Sequence, residues 1–176
     1  QDADSLRRIA REFVADMASD GVIYAETRWA PQQHLAGGLT AVAATEAVQA
    51  GLVEGMESAS RSGTTIIVRQ ILCLIRHLDV PEDVVDLAVN HAPGVVGVDI
   101  AGPEDGFPLA PFTNALTRIQ AAGIHLTVHA GEAVGPESIL DALDHGAERL
   151  GHGVRIIEDH NESEWGPTCL LYTSPS

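Results

Sequence analysis

The sequence predicts a parallel α/β fold, either a doubly wound sheet or a (β/α)8 barrel, and three observations carry that reading. Segments with apolar residues at helical three-and-four spacing alternate with short β-branched runs, and strands separated by helices pair in parallel because parallel neighbours need a crossover. The runs "VVGV" and "TTIIV" are apolar throughout, which suits strands covered on both faces. The side chains with chemical capacity, Arg28, Asp99, Glu104, His129, Glu132 and His152, fall at or just beyond the C-terminal ends of the expected strands, where both architectures build their sites.

Each element has its own signal. Ser5 precedes Leu6, Ile9, Phe13 and Met17, whose spacing puts one apolar stripe on a helix with Ser5 as its N-cap. "VIYAETRWAP" reads as a strand closed by Pro31, and "TAVAATEAVQAGLVEGMESA" as a helix. "TTIIVRQILCLI" is a strand, "PEDVVDLAVNHA" a helix with Pro81 in its first turn, and "GVVGVDIAG" a strand. "PFTNALTRIQAAG" is a helix ended by Gly123, "IHLTVHAGE" a strand, "PESILDALDHG" a helix ended by Gly146, and "ERLGHG" a short strand. About five strands fall short of the eight that close a barrel, and such barrels usually run to about 250 residues, so a barrel reading makes the chain incomplete. The alternation covers residues 1–160 as one expected domain. From 161 to 176 it stops, and "CLLYTSPS" resembles a translated sequencing adapter, so a non-native tail is expected there.

Composition narrows the function classes. A chain of 176 residues is long enough to enclose a core, and its 45% hydrophobic and 20% charged residues are ordinary for a soluble globular protein. The N-terminal "QDADSLRRIAREF" has no apolar signal core, and Cys73 and Cys169 offer no disulfide framework, so a cytoplasmic setting is expected. The formal charge of −15 disfavours nucleic-acid and anionic-membrane partners. All ten basic residues are Arg, which excludes chemistry that needs a P-loop, Schiff-base or carbamylated lysine.

In "TVHAGEAVGPES", His129 ends a strand and Glu132 follows three residues later; a neutral imidazole suits Zn²⁺, and a nearby carboxyl group can move protons for water. Alone, His129 is more often a hydrogen-bonded barrel histidine than a ligand, and Glu132 most often a solvated loop residue. In "RLGHGVRI", His152 sits between Gly151 and Gly153, which would let backbone approach a ligand, while Ile156 breaks the dinucleotide-binding fingerprint. His125 shares the period-two face of His129 but lies deeper in the strand, and is expected to fill core. The H-x-E and P-C-x-x-C signature of cytidine-type deaminases is absent.

"VHAGE" followed one helix later by "RLGHG", with "YAETRWAP", "RQILCLIRH", "VVGVDIAGPE" and "LGHGVRIIEDH" in the same order, resembles the adenosine and AMP deaminase family of metal-dependent hydrolases. The resemblance implies a partial (β/α)8 TIM barrel, one Zn²⁺ per complete site, and hydrolysis of adenosine or deoxyadenosine to inosine and ammonia in purine salvage. It casts His129 as a zinc ligand and Glu132 as the acid that protonates the ring nitrogen beside the attacked carbon. His152 resembles the residue that orients and helps deprotonate the attacking water, and Gly102 the glycine whose backbone contacts the purine. Asp99 is placed as a partner of the ligand histidine. Arg28, Arg76 and Glu26 also match family positions, but an ion pair bracing strand ends explains them more economically; Trp29, Cys73 and His77 read as packing or surface residues.

The chain departs from the family in having no H-x-H pair and no Asp-Asp pair, the motifs that carry the remaining ligands and an adjacent catalytic aspartate. Catalytic zinc sites use at least three protein ligands, so the chain alone is expected to bind zinc poorly and to be inactive. Two alternatives stand beside this reading: a sister enzyme acting on adenine or another 6-aminopurine, and a non-catalytic α/β binding domain whose histidines only pack.

Overall fold

The computed structural model describes residues 2–78 and 84–158; Pro81, Cys169 and the expected tail lie outside them. Helix α1 (Ala3–Ser19) starts a turn earlier than expected. Its N-cap is Asp2, whose carboxylate accepts the Ser5 N–H at 2.7 Å, so Ser5 is the capped residue and not the cap. Strand β1 (Tyr24–Trp29) runs into a 3-10 turn at Pro31–Gly37, and Thr40 then caps α2 (Ala41–Arg61) by accepting the Ala43 N–H. Next come β2 (Ile67–Ile75), α3 (Val84–Asn90), β3 (Val95–Ala101), α4 (Thr113–Ala121), β4 (His125–Ala130), α5 (Pro136–Asp144) and β5 (Arg149–His152).

The strand order is β1-β2-β3-β4-β5. A doubly wound sheet reverses its order at a switch point, whereas a barrel adds each strand beside the last, so this order selects the partial (β/α)8 barrel. Tyr24 pairs with Ile67, Gly97 with His125 and His129 with Gly151, all in parallel.

The described residues form two compact units. The first runs to Leu72 and includes Asp86–Val96; the second takes Cys73–Val85 and the residues from Gly97 onward. In the first, Leu6, Ala10 and Val14 of α1 pack with Ala44, Ala47, Val48 and Leu52 of α2. Gly51 and Gly55 permit this close approach: a Cβ on Gly51 would stand 2.1 Å from the Arg7 carbonyl oxygen, and one on Gly55 2.6 Å from the Val14 Cβ. The fully buried Gln70 is satisfied on both sides, accepting from Trp29 Nε1 and donating to Gln49 Oε1, each at 2.9 Å. Trp29 is therefore a hydrogen-bonding residue, beyond the packing role expected of it.

In the second unit, Val98, Ile100, Leu126, Val128 and Ala130 of the strands are buried together with Phe112, Leu116, Ile119 and Ile139. His125 departs from expectation. As the first residue of β4 it is exposed rather than core, and its Nδ1 lies 2.7 Å from Glu148 Oε2. No described helix is long and apolar enough to cross a membrane.

Candidate active site

The register that sets His129 beside Gly151 decides the geometry at the C-terminal end of β4. A Cβ on Gly151 would fall 2.8 Å from the His129 ring, so the glycine leaves space for the imidazole itself. His129 Nδ1 lies 3.0 Å from Oδ1 of Asp99, a fully buried carboxylate on β3, and the Cys73 thiol of β2 lies 3.5 Å from Asp99 Oδ2. With an ionised Asp99 as partner, Nδ1 carries the ring proton and Nε2 keeps its lone pair, the tautomer a metal ligand needs. Cys73, expected as packing, thus contributes to the buried polar group behind His129.

His152 ends β5 in a left-handed conformation, with φ at 63°, rare for a residue other than glycine. That turn brings its ring centroid 5.2 Å from that of His129 and its Nε2 3.5 Å from Glu132 Oε2. The turn is held by the Gly153 N–H donating to the Ala130 carbonyl at 2.9 Å and the Arg155 N–H donating to that of Gly131 at 3.1 Å. The three side chains expected to act together are therefore adjacent: His129 at 14% side-chain exposure, His152 at 29% and Glu132 at 60%.

Gly102 follows β3 with φ at 101°, and a Cβ there would press to 3.3 Å on the Arg76 nitrogen and Ile75 Cγ2, so a side chain at this position is strained as well as crowded. His77 contacts Phe107 edge-on at 6.1 Å. Where an ion-pair brace is expected, the bonds that Arg76 makes among the described residues are to main chain: Nη1 donates to the Phe107 carbonyl and Nη2 to that of His129, each at 2.7 Å. A buried guanidinium on the carbonyls of a β4 residue and of the loop after β3 fixes main chain rather than a partner side chain. Burial pushes its pKa down, and the carboxylates of Glu104, Asp141 and Asp99 oppose that shift. Glu26 and Arg28 belong to the first unit, where Glu26 accepts the Tyr24 hydroxyl at 2.7 Å.

Glu104 has the densest set of partners. Its carboxylate accepts the N–H groups of Gly131 at 2.6 Å, Glu132 at 3.0 Å, Ala133 at 2.7 Å and Val134 at 2.9 Å, together with the Ser138 hydroxyl. Burial alone would raise its pKa, but these bonds outweigh it and hold the carboxyl below the ordinary glutamate range. With Arg76, Phe107, Glu137 and Asp141 it lines a cleft of about 270 Å³. Strand-end position singles out Glu104 in the sequence, but nothing there announces that its partners are main-chain groups of a later loop.

For a metal, His129 fits as one ligand: its imidazole has a carboxylate behind Nδ1 and Nε2 left over. Among the described residues no three His, Cys, Asp or Glu side chains group into a metal site.

With that geometry in place, likeness to known proteins is informative. The model of the adenosine deaminase family matches residues 1–165. The adenosine deaminase of Mycolicibacterium gilvum is 44% identical over 170 residues, which are 95% of this chain and 47% of that protein. The crystal structure of adenine deaminase from Arthrobacter aurescens matches with a TM-score of 0.74 at 25% identity, over 91% of this chain and 48% of that one. An amidohydrolase from Burkholderia ambifaria, solved with bound Zn, matches at 0.75 and 32% identity, over 89% of this chain and 43% of that one. The fold is thus a partial (β/α)8 barrel similar to these solved barrels, with a polar cluster at its strand ends. The chain belongs to the adenosine deaminase family, and it spans less than half the length of the curated relatives it matches.

Proposed function

We propose that the intact protein is a zinc-dependent deaminase that converts adenosine and deoxyadenosine to inosine or deoxyinosine and ammonia in purine salvage. The observation that carries this is the juxtaposition of His129, held by Asp99, with His152 and Glu132 at the C-terminal end of a parallel barrel. Family membership and the relatives named adenosine deaminase support it.

In this reading His129 would be a ligand of the metal, and Asp99, 3.0 Å from its Nδ1, would keep the imidazole in the ligating tautomer. Zn²⁺, when bound, supplies the Lewis acidity that lowers the pKa of a water toward ~7. Glu132, in its protonated form, donates to the ring nitrogen beside the amino-bearing carbon and makes that carbon electrophilic. His152 accepts a proton from the attacking water as the water oxygen bonds to that carbon and gives a tetrahedral adduct. His152 then returns the proton to the amino nitrogen, the C–N bond breaks to release ammonia, and the hydroxyl proton passes to Glu132 as the carbonyl forms. Their 3.5 Å approach lets His152 and Glu132 share the proton inventory of the reaction. Gly102, where a side chain is disfavoured, offers main chain to the flat purine.

A second reading, an adenine or other 6-aminopurine deaminase, is favoured by the likeness to the Arthrobacter aurescens adenine deaminase. The assigned residues act on the aminopurine ring and none of them reads a ribose, so they serve either substrate. The setting is proposed to be cytoplasmic and the ligand a small molecule, in keeping with a charge of −15 that repels polyanions. The 176-residue chain by itself, with one candidate ligand among its described residues, is proposed to be inactive. Assaying the intact, zinc-loaded protein against adenosine, deoxyadenosine and adenine in parallel tests the assignment. Nucleoside turnover is expected to exceed adenine turnover, with the discrimination supplied by ribose-contacting residues other than His129, Glu132, His152 and Gly102. A preference for adenine would move the assignment to the second reading, and no ammonia from any of the three would refute both.

A further inference from the structure

We propose that Glu104 is the positioning residue of the proton-transfer loop: by gathering the four consecutive N–H groups of Gly131–Val134 on one carboxylate, it sets Glu132 against His152. The inference rests on the deaminase reading for its catalytic meaning, but its structural basis is independent of substrate.

The segment between β4 and α5 has no ladder or helix to bond its main chain. Its N–H groups instead form a concave nest, and a carboxylate is the acceptor such a nest binds best. Oε2 of Glu104 takes the N–H groups of Glu132, Ala133 and Val134; Oε1 takes that of Gly131 and the Ser138 hydroxyl in the first turn of α5. The carbonyl side is held by residues that follow β5. Gly153 and Arg155 N–H groups bond the Ala130 and Gly131 carbonyls, and Arg155 Nη1 donates to Ala133 at 2.8 Å. The loop is therefore clamped on its donor side by the residue after β3 and on its acceptor side by the segment after β5.

Glu132 needs that clamp because its side chain has little else. It is 60% exposed and His152, at 3.5 Å, is its side-chain partner. Its direction is set by where its main chain is held, and Glu104 does the holding. An isosteric glutamine cannot substitute: whichever way its amide is turned, an NH₂ group faces at least two of the donors and an acceptor is lost.

The test uses the intact zinc-loaded protein, with Glu104→Gln and Ser138→Ala compared to the parent. For Glu104→Gln, kcat is expected to fall ~10–10²-fold, the range for misplacing a general acid, with KM within about twofold and zinc content unchanged. Amide hydrogen exchange at Gly131–Val134 is expected to accelerate while β4 and β5 keep their protection. Ser138→Ala leaves the four loop bonds in place and is expected to lower kcat only ~2–5-fold, with a smaller rise in exchange. A folded Glu104→Gln protein with parental kcat, or with reduced kcat and unchanged loop exchange, overturns the proposal. If Glu104→Gln does not fold, Ser138→Ala decides: parental kcat together with parental exchange at residues 131–134 overturns it. A parent that deaminates no 6-aminopurine defeats the functional reading instead, since exchange still reports whether Glu104 holds the loop.

Discussion

His129, Glu132 and His152 stand out in the sequence because strand-end position and residue type coincide in them, and the structure sets the His152 ring 5.2 Å from that of His129 and its Nε2 3.5 Å from Glu132 Oε2. His125 misled for a physical reason. Period-two alternation tells which face a residue shares but not how far along the strand the core extends, and the first residue of β4 lies where Glu148 and solvent meet it. Glu104 and Arg76 act on main-chain groups, which every residue type possesses, so their partners leave no trace in the sequence. The depressed pKa of Glu104 gives a residue-scale prediction. A group whose folded pKa lies below its unfolded value of about 4.3 stabilises the fold above that pH, and the stabilisation is lost as pH falls through the folded value. The thermal midpoint of the intact protein should therefore drop between about pH 5 and pH 3, and less steeply in Glu104→Gln. Arg76, Asp141 and the Ser138 hydroxyl surround the group and are unchanged in that comparison, so equal slopes in the two proteins would contradict the assignment.

At the scale of elements, helices and strands fell close to where apolar spacing puts them, and the errors lie at their ends. Helix α1 starts before Ser5 because Asp2 and Ser5 are both capping residue types, and only the hydrogen bond from Ser5 N–H to Asp2 shows which one caps. Trp29 looked like packing since a strand tryptophan usually is; its bond to buried Gln70 depends on a glutamine in a neighbouring strand and another in α2. The α1–α2 contact yields a sharper test. Gly51 and Gly55 lie inside α2, where alanine would raise helix propensity by about 1 kcal/mol. Yet a Cβ at either position collides with α1, so Gly51→Ala and Gly55→Ala should each lower stability by about 1–3 kcal/mol in denaturant unfolding, the usual cost of overpacking. A gain in stability would mean that the helices do not pack this closely.

For the molecule as a whole, alternation of strands and helices made a parallel α/β fold legible, but alternation is common to doubly wound sheets and barrels. Sequential strand order separates them, and order is a property of three-dimensional pairing that no single segment encodes. The same holds for the site: one candidate ligand was readable, and the described residues group no three metal-binding side chains. A hydrolytic deaminase site that includes His129, His152 and Glu132 in the intact protein is put to the test by following loss of adenosine absorbance with the intact zinc-loaded protein beside Glu132→Gln. Turnover by the parent and a loss of at least ~10²-fold in the variant, with zinc content unchanged, is the predicted result for removal of a general acid. Equal turnover in the two proteins would contradict the role of Glu132, and zinc-loaded parent protein that leaves adenosine intact would contradict the substrate.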